Sequence, residues 1–361
     1  MPVLRGYDRF GGRHGESASV ANVLRYLGVT APHTGEPYTE EMLFGLGGGL
    51  GFAYWVFDYE HLPNPMLGVG FRRFGWEGFD TAFVEDMCSR AGAAAETRET
   101  SSRAKADREL GQALEEGRPP VVTADWGMLP CSPVPMDLEY VPHVVAVVGV
   151  DDADVVLDDL GPTPCRVPRR EFAAARAAVR STHHRVRLIS RGEPPHNPAE
   201  AIQDALADCA ASLLEPLRPN AGLPALLKWS RMMSSRVETK AWRKVFDTPA
   251  RLSAALCWTH RWIELGTGGG AFRPMYADFL EEASAVMGER AVLELAATYR
   301  GLGQRWSALG IDALALSGEP EEALGELDAF ADRLAQMHAD ESAAAHAVRE
   351  AAGERAVVRG A

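Results

Sequence analysis

Near the start of the chain, apolar residues begin to recur at helical spacing directly behind a glycine-rich loop. The stretch Phe10–Gly28 opens as Gly-Gly-Arg-His-Gly-Glu-Ser and continues with Val20, Val23, Leu24 and Leu27 on one face, stopped by Gly28. A helix that starts there aims free backbone N–H groups and the positive end of its dipole at Arg13, His14, Gly15, Glu16 and Ser17. A short helix capped by Thr39 is expected over 38–44. Five glycines then fall between Gly45 and Gly51, a density that argues against a helix or an ordinary strand. They are expected to let backbones approach closely around Gly48, with Phe52, Tyr54 and Trp55 walling a pocket. Phosphate binding there lacks the Lys-Ser/Thr of a Walker loop.

Residues 63–76 read as loop, ending in the aromatic and basic run Phe71-Arg-Arg-Phe-Gly-Trp76, and helical pattern returns at 78–91 and 104–116. Two β-branched apolar runs, 119–125 and 143–150, read as buried strands. A turn at Asp151–Asp154 leads into a partner strand ending at Asp158-Asp159, and a helix over 171–180 closes the region. After a proline-rich segment at 191–198, helical spacing fills 199–216, 221–234, 248–266, 274–287, 289–309 and 317–352. The expected architecture is an α+β domain over 1–190, a linker over 191–198 and an all-helical domain over 199–355. The last of these helices offers a surface for a homodimer or a cover for its own domain.

The bulk properties narrow the function. A net charge of -13 and a pI near 5.3 argue against nucleic acid or an anionic membrane as partner, since both need a basic face. Five widely spaced cysteines with no C-x-x-C pair argue against a disulfide framework or a structural metal site, and no cofactor is expected. With no apolar run long enough to span a bilayer, the chain reads as a reduced cytoplasmic protein.

Chemistry is expected where His143 opens a buried strand and an aspartate, Asp158 or Asp159, ends the next one. Side chains alternate across a strand, so one of the two can face the histidine. With a helix N-terminus upstream, this is the order of nucleophile, base and orienter in cysteine peptidases. Papain-like enzymes place a cysteine at that helix start. Here the place is held by glycine, glutamate and serine.

Several segments resemble one family. They are Gly12-Arg-His-Gly-Glu-Ser, the run from Glu41 to Tyr54, Asp125 with Leu129-Pro130, the strand from His143 to Val150, and Leu157-Asp-Asp-Leu with Phe172–Arg176. Together they look like the N-terminal domain of the butirosin biosynthesis protein H family. The segment Ile263–Leu280, with Trp306 downstream, looks like the helical domain that follows it, so the resemblance spans about residues 5–310. It implies a papain-like cysteine-peptidase fold adapted to acyl transfer. It further implies a substrate held as an acyl or aminoacyl thioester on a carrier protein, a small-molecule amine as acceptor, and a place in secondary metabolism such as antibiotic biosynthesis.

The family's usual cysteine maps to Gly15, which leaves three ways to complete the chemistry. Ser17 (or Ser19) replaces the nucleophile, Cys131 swings in from the loop before His143, or no covalent intermediate forms. The third is preferred. His143, oriented by Asp159 rather than Asp158, acts as general base for amide formation or cyclisation, while the helix start and Arg13 hold the oxyanion. Gly15 is then expected to leave space that a cysteine would fill. Arg273 and Tyr276, in the second glycine motif, are expected either to reach across and complete the pocket or to pin a tight helix junction. A non-catalytic homologue that kept the pocket for binding is the alternative from another class.

Overall fold

The computed structural model describes residues 3–58, 65–74, 82–131 and 141–353. In chain order, helices α1 (Gly15–Tyr26) and α2 (Glu40–Leu46) lead into strands β1 (Leu50–Phe57) and β2 (Met66–Arg72). Helix α3 (Ala82–Arg90), strand β3 (Ala93–Arg98), helix α4 (Arg103–Glu115) and strand β4 (Val121–Asp125) come next. Strands β5 (Pro142–Val150), β6 (Asp154–Asp158) and β7 (Cys165–Pro168), helix α5 (Arg169–Ala178) and strand β8 (Val186–Arg191) follow. The remainder is helical: α6 (Pro198–Leu214), α7 (Gly222–Ser234), α8 (Trp242–Val245), α9 (Pro249–His260), α10 (Arg273–Met287), α11 (Arg290–Ser317) and α12 (Pro320–Ala352). The expected α+β class with an all-helical C-terminal region is the class observed. Within the described residues no helix is long and apolar enough to cross a membrane.

The chain divides into two compact units. One comprises Met1–Gly47 and Thr81–Pro198, the other Gly48–Asp80 and Ala199–Ala361. The first is built on a six-stranded antiparallel sheet in the order β3-β8-β4-β5-β6-β7. Strand β5 is buried from His143 to Gly149, the pattern of a strand covered on both faces, and α1 and α4 both pack against it. The N-terminal arm is tied to the same strand by the Leu4 N–H, which donates to the Val148 carbonyl at 2.8 Å. Strands β3, β7 and β8 have no counterpart in the sequence reading. They are short or carry arginines, and their periodicity is too weak to separate them from loop.

The second unit departs from the sequence reading in one respect. Residues 50–57 and 66–72, grouped there with the first domain and read as glycine-rich loop, pair as an antiparallel hairpin. The glycines are accommodated by a register shift between Leu50 and Ala53. Trp76 and the start of the helix expected at 78 lie outside the described residues. The hairpin packs with the helices. Phe52 stacks on Trp229 of α7 at 6.2 Å and on Trp306 of α11 at 6.3 Å, and Tyr54 stacks on Trp229 at 5.9 Å. Trp242 Nε1 donates to the Tyr54 hydroxyl at 3.1 Å, and Trp262 Nε1 donates to the Leu67 carbonyl at 2.7 Å. Phe52 and Tyr54 are therefore core residues of this unit rather than walls of a pocket. Gly48 takes φ +90 beside Arg73, whose side chain occupies the space a Cβ would need.

The second glycine motif makes a left-handed turn. Gly268, Gly269, Gly270, Ala271 and Phe272 all have positive φ, between 54 and 103, a rarity for the last two because the Cβ crowds the backbone there. The turn delivers Arg273 to the start of α10 with no exposure at all. Its Nε donates to Glu341 of α12 at 2.8 Å, its Nη1 donates to the Ala271 carbonyl at 2.7 Å, and its plane lies 5.5 Å from the rings of both Phe71 and Trp306. Tyr276 is equally buried, with its ring 4.9 Å from that of Tyr299. Neither residue reaches out toward a pocket; the helix-junction role is the one they fill. Helix α12, a candidate dimer surface in the sequence, packs on α7 and α11 of its own unit.

Candidate active site

The first unit brings His143 and Asp159 together. His143 is the second residue of β5, paired across the sheet with Ala124, and Asp159 lies one residue beyond β6. Their Nε2 and Oδ1 are 2.6 Å apart, and both side chains are almost wholly buried. Asp159 Oδ1 also accepts the Leu160 N–H at 2.8 Å. Burial pushes the Asp159 carboxyl up, yet the charge and hydrogen bond of His143 and the Leu160 N–H outweigh it and hold the carboxyl below its ordinary value. An ionised carboxylate only accepts, so Nε2 is the nitrogen that donates to Asp159, and in the neutral tautomer that makes this bond the lone pair lies on Nδ1.

Asp158 points elsewhere, as strand alternation requires. It accepts from the Tyr7 hydroxyl at 2.5 Å, the Gly11 N–H at 2.9 Å and Asn22 Nδ2 at 2.9 Å. Burial is the largest influence on its carboxyl and pushes it up to about 6 against those three donors. Asp158 thus ties the N-terminal arm to α1, while Asp159 serves the histidine.

The start of α1 meets the other edge of the imidazole. A Cβ built on Gly15 would stand 2.8 Å from His143 Cε1, 3.1 Å from its Nδ1 and 2.6 Å from the Val144 carbonyl oxygen. Gly15 therefore faces the histidine. This corrects the expectation that glycine leaves open space, because the helix has closed onto the strand and a side chain at 15 would collide with it. Trp126, in the turn after β4, covers the ring face, with centroids 4.6 Å apart and planes 10° from parallel. Its position follows from the register: Trp126 N–H donates to the Val141 carbonyl at 2.9 Å, so residues 124 and 126 share the face of His143. Asp125, opposite Pro142, is buried on the alternate phase.

The other loop residues form a lock of their own. Glu40, at the start of α2, accepts the backbone N–H groups of Arg13 and His14 at 2.9 Å each and the Ser17 hydroxyl at 3.1 Å. Burial raises its carboxyl even against those donors. Ser17 Oγ lies 3.1 Å from His14 Nδ1, and Glu16 lies 3.6 Å from His14 Nε2. Ser17 is wholly buried and engaged with His14 and Glu40, not with His143. The Arg13 guanidinium pairs with Glu41 and its N–H with Glu40, so Arg13 braces the loop instead of reaching for an oxyanion.

Cys131 is joined to Cys165 in a disulfide. This corrects the reading of a fully reduced chain and removes Cys131 as a free thiol. Its Sγ lies 3.8 Å from Asp159 Oδ2. Trp126, Glu40 and Cys165 were invisible as site residues in the sequence. Trp126 carries no pattern beyond following Asp125, and Glu40 looks like any acidic residue in a helix's first turn.

Two family profiles match the chain: "Butirosin biosynthesis protein H, N-terminal" over residues 14–160 and "Domain of unknown function (DUF4872)" over residues 170–348. No curated protein matches in sequence. One similar solved structure is a putative C39-like peptidase from Bacillus anthracis. It is 17% identical with a TM-score of 0.31, over 53% of this chain and 98% of that one. The first match takes in His143 and Asp159 and the second the left-handed glycine turn, so the chain carries a butirosin biosynthesis protein H N-terminal domain followed by a DUF4872 domain.

Proposed function

We propose that the protein is a papain-like enzyme of biosynthetic metabolism that acts on an acyl or aminoacyl thioester by general-base catalysis, without a cysteine acyl-enzyme. The observation that supports this is the 2.6 Å pairing of His143 with Asp159 beside the N-terminal end of α1. In the reaction proposed, His143 Nδ1 accepts the proton of an attacking amine as its nitrogen bonds to the thioester carbonyl carbon. The carbonyl oxygen becomes an oxyanion at the positive end of α1. The tetrahedral centre then collapses, the C–S bond breaks, and the proton leaves with the departing thiolate as a thiol. A thioester already has a good leaving group, so proximity, a base and an oxyanion site suffice. Intramolecular attack by an amine of the same chain gives cyclisation by the same steps. Carrier protein and free amine are the partners this chemistry calls for.

The close approach of Gly15 to His143 favours a second reading, a binding homologue in which the dyad only holds strand and helix together. One experiment separates the two. The full-length protein is incubated with an aminoacyl N-acetylcysteamine thioester and a primary amine, and His143→Ala is run beside it. Base catalysis requires amide formation that the variant loses and an unmodified enzyme by intact mass. A lasting acyl adduct, or equal product from both proteins, rejects the mechanism.

A further inference from the structure

We propose that the Cys131–Cys165 disulfide is a redox-controlled clamp on the His143–Asp159 pair, closed when oxidised and opened by a dithiol reductant. For its effect on turnover this rests on the base reading above; its effect on the dyad stands apart from it.

Cys131 lies five residues after Trp126, the residue stacked on His143. Cys165 begins β7 and pairs with Leu157 of β6, two residues before Asp159. The disulfide therefore fastens the cover of the imidazole to the strand beside the one that presents its carboxylate. Its sulfur also lies on the carboxylate itself, 3.8 Å from Asp159 Oδ2. A disulfide sulfur has no proton, so it covers Oδ2 without donating to it, while His143 holds the other oxygen, Oδ1. The buried His143–Asp159 pair is thus flanked by a covalent bond that one reaction removes.

That reaction has an entry point in the fold, because Cys131 is exposed. A dithiol attacks the disulfide, its own sulfurs join, and two electrons and two protons pass to the protein as two thiols. Cys88 and Cys209 are poor competitors in the exchange. Both are buried, and burial pushes their thiols up to about 12 and about 11. On reduction the tether is lost, and Cys131 gains an S–H that can donate to Asp159 Oδ2. Both changes loosen the pairing that orients the imidazole.

The test uses the full-length protein poised in oxidised or reduced dithiothreitol. Differential alkylation with peptide mass mapping should find Cys131 and Cys165 protected together when oxidised and labelled together when reduced; labelling of either in the oxidised protein overturns the proposal. The low-field imidazole N–H resonance of His143, identified by its loss in His143→Ala, should shift or broaden on reduction and return on reoxidation. With the thioester and amine probes, turnover should fall tenfold or more on reduction. A Cys131→Ser/Cys165→Ser variant should stay at the reduced level in either buffer. An unchanged resonance, or a double variant indistinguishable from the oxidised protein, overturns the clamp. A resonance that responds to redox while neither state turns over the probes leaves the clamp standing and refutes the base reading. An acyl adduct on Cys131 in the reduced protein would mean that the bridge masks a nucleophile instead.

Discussion

His143 is held from three directions: Asp159 at Nε2, the Trp126 indole over its face, and Gly15 at its Nδ1 edge. Each contact makes a distinct expectation. Asp159→Asn removes the charged acceptor and lets the ring take the wrong tautomer, which should lower thioester aminolysis by a factor on the order of 100 or more, read from kcat/KM. Gly15→Ala forces a methyl against the Val144 carbonyl and the imidazole, and overpacking of this kind costs about 1–3 kcal/mol. Its denaturation midpoint should fall with no change in the slope of the transition. Gly15→Cys meets the same collision, so it should destabilise the protein instead of restoring a nucleophile. An alkylatable, fully stable cysteine at 15 would show that the helix start can retreat from the strand. The pairing of His143 with an aspartate at the end of the next strand was legible in the sequence because residue type and strand order carry it. Trp126 was not, since its role depends on a register between β4 and β5 that hydrophobic patterning leaves open.

At the scale of elements, Asp158 at the end of β6 and Asp159 just beyond it do opposite work. Asp158 is raised to about 6 from an ordinary 3.8, so the folded protein holds that proton more tightly than the unfolded chain. Its stabilising share is complete below the ordinary carboxyl range and is lost as pH rises through about 6. Asp159 is lowered, so its share is present above that range and is lost as pH falls. Comparison with Asp158→Asn isolates the first. Between pH 4 and 7 the wild-type protein should lose up to about 3 kcal/mol relative to the variant, about two pKa units at 1.36 kcal/mol each. Urea midpoints for both proteins across that range check it, and a constant difference would sink the assignment. In the second unit, Arg273 and Glu341 are wholly buried partners. Arg273→Met leaves the carboxylate uncompensated and should cost about 3–5 kcal/mol by the same measurement. Strands 119–125 and 143–150 could be read ahead of the structure because β-branched runs have few alternatives. The hairpin at 50–72 could not, because its glycines hide the alternation and its apolar partners lie more than a hundred residues downstream.

Across the whole molecule, the chain crosses between its two units more than once: it leaves the first after Gly47, returns at Thr81 and leaves again after Pro198. Proline-rich composition marked the last crossing, while nothing in the pattern marked the first two. A fragment ending at Pro198 keeps the hairpin and loses the tryptophans that stack on it. It should aggregate or bind an apolar dye, in contrast to the full chain, as light scattering would report. The same threading sets a timetable for synthesis. Phe52, Tyr54 and Phe71 leave the ribosome long before Trp229 and Trp306 exist to cover them. At about 5–20 residues per second, the interval to Trp229 alone is roughly ten to thirty seconds. For that time the nascent chain carries exposed aromatic side chains with no core to enter, the kind of surface that holding chaperones cover.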